Sequence, residues 1–372
     1  MSNTQDSYSR SGVDYSKLDP IKLLAQKKAR STSNQLTSFG MQELKASRGE
    51  SAYVWEEPGS YRALVVEGLG TKNLIADAVR KITGKTYYDN IAQDTIAMIV
   101  NDLVVVGALP QVVNAYFAVG DSNWLSDEQR ASDLINGWAE ACKKSGATWG
   151  GGETPTLKGI VDPKTIDLGG SAVGIIKPKK NLVLGDKLAA GDKIVLIESS
   201  GIHANGVTLI RSLAKKNPKL YRTKMSDGRL FGEALLSPSH LYVKLVQKLQ
   251  AEKLNVHYMV NITGHGWRKL MRATKSFTYE MNVTPNPQPE FLLLQKAAKL
   301  TEREMYGNYN MGAGFAVYVP AKQAEQVVLC AKKVGLKAWV AGTVKKGPKK
   351  VVIKNTDQNI DITFDSKSLG VR

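Results

Sequence analysis

The stretch ALVVEGLGTK at 63–72 decides how the rest of the chain reads. The apolar run Ala63 to Val66 has the character of a strand. It leads into an acid, two glycines, a threonine and a lysine. Gly68 and Gly70 let the backbone turn and approach an anion closely. Thr71, Lys72 and neighbouring N–H groups suit phosphate, while Glu67 suits a hard cation. The order G-x-G-T-K is not the G-x-x-x-x-G-K-[ST] spacing of a Walker A loop. Taken alone, the stretch also reads as a plain turn after a strand. Companion motifs further down the chain give it weight.

The chain has 372 residues, 42% of them hydrophobic, and a formal charge of +17. That length predicts two domains, here divided at 1–177 and 178–372, with a basic extension from about 345. No apolar run reaches the ~18 residues of a membrane span, and the polar start MSNTQDSYSR lacks a signal core. Cys142 and Cys330 stand far apart, outside any C-x-x-C pair. This argues against a disulfide framework or cysteine zinc site and for a reducing, cytoplasmic setting. The positive charge favours anionic partners. Much of it is lysine in short surface-like runs, and no arginine-rich helix or RNA-binding aromatic motif accompanies it, so nucleic acid is not the expected partner.

Strands are expected at Val112–Val119, Ile166–Ile176, Lys193–Glu198, Phe315–Val319 and Trp339–Val344, and an edge hairpin over Val351–Phe364. Helices are expected at Pro20–Ala29, Asp77–Ile82, Thr95–Val106, Asp127–Ser145, Val207–Lys215 and Ser239–Glu252. Gly150 to Gly152 reads as a loop, and 263–266 as a glycine loop entering a basic amphipathic helix. Both halves mix strands with helices, which predicts an α/β (α+β) architecture.

Four groups of residues carry chemistry. Asp94 and Asn101 fall on nearly one helical face, where Asp94 also reads as a helix cap. Asp102 lies within an apolar run, and a buried carboxylate must be paired or bind metal. Glu153 follows Gly151 and Gly152, which leave room for close backbone approach. In SSGIHANG at 199–206, Ser199, Ser200 and Gly201 can offer N–H groups and hydroxyls to phosphate, with His203 and Asn205 beside them. In NITGHGWRKLMR at 261–272, Thr263, Gly264 and His265 could close on phosphate with Arg268 and Lys269 nearby. No H-E-x-x-H, G-x-S-x-G or C-x-x-C motif occurs, which argues against common zinc hydrolases, serine hydrolases and dithiol enzymes.

Together these blocks resemble the AIR synthase family, the phosphoribosylformylglycinamidine cyclo-ligases of purine biosynthesis. The resemblance rests on YSRSGVD at 8–14, IKLLAQKKARS at 21–31, EGLGTK at 67–72, DTIAMIVNDLVVVGALP at 94–110, GGETP at 151–155 and DLGGSAVG at 167–174. It continues in order through SSGIHANG, EALLSPSHLYV at 233–243, ITGHG at 262–266 and NMGAG at 310–314. It implies a two-domain fold, with an N-terminal domain that forms a β-barrel with a second subunit, and a C-terminal α/β domain. It further implies a homodimer that uses ATP and Mg2+ to close the imidazole ring of a phosphoribosyl substrate. By the same resemblance, Glu67, Asp94, Asp102 and Glu153 are candidate magnesium ligands, and Lys22 and Lys72 phosphate neutralisers. Gly68, Gly70, Thr71, Asn101, Gly151 and Gly152 fall to the nucleotide. His203, Ser199, Ser200, Gly201, Asn205, Thr263, Gly264 and His265 fall to the substrate. All of them are expected around one cleft.

The chain departs from the family pattern at Glu67, where aspartate is usual, and at Asn261, where histidine usually precedes Ile-Thr-Gly. It departs again at His265, in the middle of a glycine triplet, and at Pro155, Thr156 and Leu157. These changes keep a second enzyme reading open, a paralogue acting on another amide. A non-catalytic nucleotide- or RNA-binding relative is the third.

Overall fold

A computed structural model describes residues 15–369, so YSRSGVD at 8–14 lies outside the described residues. In the N-terminal half the strands are β1 (Gln42–Glu43), β2 (Tyr53–Glu57), β3 (Ser60–Gly68), β4 (Leu109–Val119), β5 (Thr148–Glu153) and β6 (Ile166–Ile176). They form one sheet in the order β1-β2-β3-β6-β4-β5. Every pair in it is antiparallel except β4–β5. Period-two alternation gives the sheet two faces. Ala63, Val65, Val113, Ala115, Phe117 and Ala172 point inward and are buried.

Four helices belong to this half: α1 (Tyr15–Arg30), α2 (Asn73–Thr83), α3 (Tyr88–Val104) and α4 (Glu128–Lys144). α3 packs on β3, β6 and α4. It begins earlier than its apolar run suggests, because Asn90, Gln93 and Asp94 form a polar face that has its own partners. α4 follows its expected span, with the Asp127 side chain accepting from the Arg130 N–H at its start.

Beyond Ile176 the chain crosses to a second sheet. Its strands are β7 (Lys193–Glu198), β8 (Tyr258–Asn261), β9 (Thr278–Met281), β10 (Ala313–Val319), β11 (Ala338–Lys345), β12 (Lys350–Asn355) and β13 (Ile360–Asp365). Their order is β13-β12-β9-β11-β7-β10-β8. All seven residues of β10 and all four of β8 are buried, which marks the core of this half. Its helices are α5 (Val207–Lys216), α6 (Phe231–Leu235), α7 (Val243–Ala251), α8 (Pro289–Ala298), α9 (Glu302–Asn308) and α10 (Ala324–Lys333). The lysine-rich segment from 345 onward is integral to the fold. β12 and β13 form the expected hairpin, and β12 joins the sheet by parallel pairing to β9.

Three local expectations change. Gly150 to Gly152 belong to an edge strand, β5. A Cβ on Gly152 would lie 2.1 Å from the Ala115 carbonyl oxygen, so only glycine lets the two backbones pair here. The helix expected from Ser239 starts at Val243 instead, because the backbone of 236–242 is bonded to side chains of α3. The basic stretch after Gly266 is a 3₁₀ turn over Gly266–Met271. Trp267 and Leu270, three apart, are stacked into the core as that geometry requires. Neither sheet closes within one chain; the barrel implied by the resemblance is not formed by a single copy.

Candidate active site at the seam between the two sheets

α3 stands between the halves and holds the segment 236–242 by its polar face. Asn90 Nδ2 donates to the Leu236 carbonyl at 3.1 Å and Gln93 Nε2 to the Ser239 carbonyl at 2.9 Å. Asp94 Oδ1 accepts from the Ser239 N–H at 2.8 Å and from its hydroxyl at 2.5 Å. Asn101 accepts from the Tyr242 N–H at 2.9 Å and donates to the His240 carbonyl at 2.8 Å. Pro238 breaks any helix here, which leaves those backbone groups open to α3.

Lys72, delivered by the EGLGTK turn to the start of α2, completes the seam. Its ammonium lies 2.6 Å from Asp94 Oδ2, both side chains are fully buried, and it also donates to the Ser237 carbonyl at 3.1 Å. Burial pushes the Asp94 carboxyl up from the usual carboxylate range, while Lys72 and the Ser239 donors pull it back. Thus Lys72 and Asp94 lie in the interior, bonded to each other and to the second half.

A second group collects at the other end of the same turn. Asp102 Oδ1 accepts from Asn261 Nδ2 at 2.8 Å. Burial first, and then the charge of Asp102, push the Glu67 carboxyl up to about 7. Lys269 donates to Thr263 Oγ1. Burial lowers its ammonium to about 8, against the pull of Asp102 and Glu67. Arg272 adds positive charge and reaches Gly49 and Ser51. Arg268, the other basic residue of this stretch, faces away to the Gly307 carbonyl at 2.9 Å and the Ser368 carbonyl at 3.0 Å. Lys269 and Asn261 are therefore the residues of this block that meet the acids. The sequence hinted at this only through a lysine six positions after Thr263.

The loop 199–206 forms a third group. His203 is buried, with φ of 57°. Its Nε2 accepts from the Ser200 N–H at 3.3 Å, which places the ring proton on Nδ1. Burial holds its pKa well below the ordinary value, aided by the nearby charges of His240 and Lys72, so the ring is neutral. Gly314 of the NMGAG block makes room for it: a Cβ there would meet Tyr242 Oη at 2.1 Å and His203 Cε1 at 2.6 Å. Ser200 Oγ donates to the Pro238 carbonyl at 2.6 Å, tying this loop to the segment that Asp94 holds. Ser199 and the Gly201 carbonyl are held by Asn310. Among the described residues Asn205 reaches only Met98 Sδ, at 3.8 Å. Glu290, which no sequence motif flags, lies fully buried against Gly201, with Oε2 3.5 Å from Arg229.

The remaining candidates stand apart. Gly151, Gly152 and Glu153 are exposed on β5. The register places Gly151 beside Asn114 and Glu153 beside Tyr116. Gly151 and Glu153 thus belong to the outer face of the sheet, opposite the face that α3 covers, while Gly152 lies in the row of the buried Ala115. Lys22 is exposed on α1, and Gly264 and His265 are half-buried at the turn into the 3₁₀ segment. The acids do not assemble around one point within the chain: among the described residues no group of three or more His, Cys, Asp and Glu is placed to hold a metal ion. The expected single cleft resolves into two seam groups, one loop and one outer-face patch.

Two consequences are measurable. Replacing Asp94 by Asn leaves the Lys72 ammonium buried without a counter-charge, so it should cost about 3–5 kcal/mol in urea unfolding. Adding Lys72→Met should recover part of that loss, with a coupling of about 2 kcal/mol between the sites; strictly additive losses would mean the pair is not a unit. Glu67 binds its proton more tightly folded (about 7) than its ordinary 4.5. Its contribution to stability is therefore full below pH 4.5 and is lost as pH rises through 7. In EDTA, Glu67→Gln should match the wild type at pH 4 and exceed it at pH 8 by up to about 3 kcal/mol; an equal effect at both values would refute the raised pKa.

Comparison with known proteins assigns a family. Residues 49–176 match the model for the N-terminal domain of AIR synthase related proteins, and residues 189–355 match that for their C-terminal domain. The phosphoribosylformylglycinamidine cyclo-ligase of Carboxydothermus hydrogenoformans is 35% identical over 291 residues, 77% of this chain and 81% of that protein. That of Pyrococcus horikoshii is 37% identical over 295 residues, 79% and 82% of the two chains. Among solved structures, the hydrogenase maturation protein HypE in complex with ATP has a TM-score of 0.56 at 17% identity, covering 73% of this chain and 78% of that one, and shares the fold. By its sequence, its two mixed α/β halves and the order of its motifs, this chain belongs to the phosphoribosylformylglycinamidine cyclo-ligase family of AIR synthase related proteins.

Proposed function

We propose that the chain closes the imidazole ring of formylglycinamidine ribonucleotide at the expense of ATP, giving 5-aminoimidazole ribonucleotide, ADP and phosphate in de novo purine biosynthesis. The observation that carries this reading is the crowding of Glu67 and Asp102 beside Lys269, at the end of the glycine turn whose other end is locked by Lys72 and Asp94. Two carboxylates near one another, one of them with a raised pKa, form a site that a divalent cation relieves.

An amide oxygen is a poor leaving group until it is phosphorylated. In the proposed reaction it attacks the γ-phosphorus of ATP and ADP departs. An amidine nitrogen then attacks the activated carbon, and the oxygen leaves as phosphate. Phosphoryl transfer depends on positioning and charge neutralisation. Mg2+ fits the acids of the seam: Glu67 and Asp102 would hold it, and it would supply positive charge to the triphosphate. Lys269 and Arg272 add cationic charge on the same side, and Lys22 would approach from exposed α1. Lys72 and Asp94 act as positioning residues that fix the glycine turn against segment 236–242. His203 is the substrate-side group. As its Nε2 is engaged by the Ser200 N–H, it can take a proton there only when the 199–206 loop moves.

The outer face of the N-terminal sheet supports a homodimer. Leu64, Val66, Val112 and Tyr116 share that face and are 38%, 72%, 40% and 37% exposed. A second copy laid on this patch would cover it and would bring Gly151, Gly152 and Glu153 against another sheet, completing a site that one copy leaves divided. A cytoplasmic location fits such a metabolic enzyme. The rival reading, a paralogue acting on another amide, draws on the Asn261–Asp102 bond, which fills a position where the family usually has histidine.

Purified protein with ATP, Mg2+ and formylglycinamidine ribonucleotide should release ADP and the aminoimidazole product in equal amounts. No turnover with this substrate, but turnover with another amide in a parallel panel, would move the assignment to the rival reading. Val66→Lys, measured by light scattering, should convert the dimer to a monomer and lower turnover at least about tenfold by dividing the site; a dimer that survives the change would place the interface elsewhere.

A further inference from the structure

A groove of about 720 Å³ runs between α2 and α5, away from the seam. It is lined by Lys81, Arg211, Lys215 and Arg222, and no acidic side chain lines it. Among the described residues none of these four side chains makes an ion pair or a hydrogen bond. The neighbouring arginine on α2, Arg80, shows that acids are available on other faces, since it pairs with Asp127. Arg211 is half-buried without a carboxylate partner. Four like charges in one concavity repel each other and focus a positive potential into it, and an anion relieves both effects.

The floor is apolar. Leu74, Ala78 and Ile82 form a stripe at helical spacing along α2, and Pro218 and Tyr221 close one end. The volume lies within the usual range for small-molecule sites, about 300–1,000 Å³. Guanidinium forks bind phosphate oxygens two at a time, and a flat heterocycle suits the apolar stripe. We propose that this groove is a second nucleotide site, separate from the reacting centre, that takes a nucleoside di- or triphosphate. Its phosphates lie on Arg211, Arg222, Lys81 and Lys215, and its base on Leu74 and Ile82. α2 starts at Lys72 and α5 starts just after the loop that carries His203, so an occupant joins the two helices that lead out of the seam from the two halves. The site is thus placed to report nucleotide level to the reacting centre.

Calorimetric titration of the full chain with ADP tests this. Two binding events are expected for the wild type, and Arg211→Ala/Arg222→Ala should weaken one of them by at least about tenfold. Lys81→Gln/Lys215→Gln should weaken the same event, which guards against a fault particular to one variant; circular dichroism should show both variants folded. Lys269→Ala should leave the groove event in place, so failure of the proposed ring closure and failure of the groove site are told apart. Identical isotherms for the wild type and both double variants would overturn the proposal. So would competition by tripolyphosphate as strong as that by ADP, which would mean that the groove holds phosphate and does not read the base.

Discussion

The architecture depends on one buried ion pair, Lys72 with Asp94, and on the two bonds that carry Asp94 across to Ser239. A buried pair is weak evidence for stability, because desolvating two charges offsets much of their attraction. Its stronger effect is on position. An ammonium and a carboxylate that are both fully buried tolerate little displacement, so the glycine turn, the start of α2 and the middle of α3 are held in one geometry. The Ser237 carbonyl and both donors of Ser239 extend that constraint into the second half. Asn90, Gln93 and Asn101 repeat it along α3 with neutral bonds worth about 1 kcal/mol each. The seam is therefore pinned by polar contacts set into an apolar core that continues through both halves.

The seam also separates two kinds of charge. At the Lys72 end, charge is compensated inside the protein. At the Glu67 end the groups are matched in number, two acids with two cations, but burial disfavours their charged forms, and both Glu67 and Lys269 have pKa values displaced toward neutrality. Strong perturbation of groups that remain partly accessible is characteristic of sites that receive a charged ligand. The same turn thus provides a rigid anchor and, five residues earlier, a responsive acid. The departures from the family pattern at Glu67 and Asn261 fall at the responsive end, where they change reach and bonding; the anchor keeps the lysine and aspartate of the motifs.

Much of this was legible in the sequence because local periodicity and local partners agree. β6 and β7 have the expected bounds, since turn residues flank both and β7 is a short, mostly apolar run. α4 has its Asp127 cap and the hairpin at the end of the chain has its alternation. The misread elements are those whose structure is set by distant residues. Segment 239–242 reads as the start of a helix, yet its backbone is claimed by Asp94 and Asn101, some 140 positions away. Gly150 to Gly152 looks like a loop, yet β4 supplies a ladder that only a residue without Cβ can join. Among the site residues, Asp102 was suspected from its apolar surroundings, and its partner Asn261 confirms that a buried acid is not left alone. Glu290 gave no signal, because nothing in the run QPEFLLL distinguishes a buried acid from an exposed one at the start of a helix.

The division of the candidate residues between two faces of one sheet follows from strand geometry. Successive residues of a strand point to opposite sides, so Glu67 and Gly68 cannot both face α3. β3 pairs with β6 in register, Glu67 to Gly170 and Gly68 to Gly169. This carries the inner row to Glu67 and the outer row through Gly169 to Tyr116 and Glu153. The two rows run side by side at Gly169 and Gly170, where a Cβ on Gly170 would meet the Asn114 carbonyl oxygen at 2.3 Å and one on Gly169 the Glu67 carbonyl oxygen at 3.1 Å. The glycines of DLGGSAVG thus let β6 pack backbone to backbone between β3 and β4 beside the acid of the glycine turn.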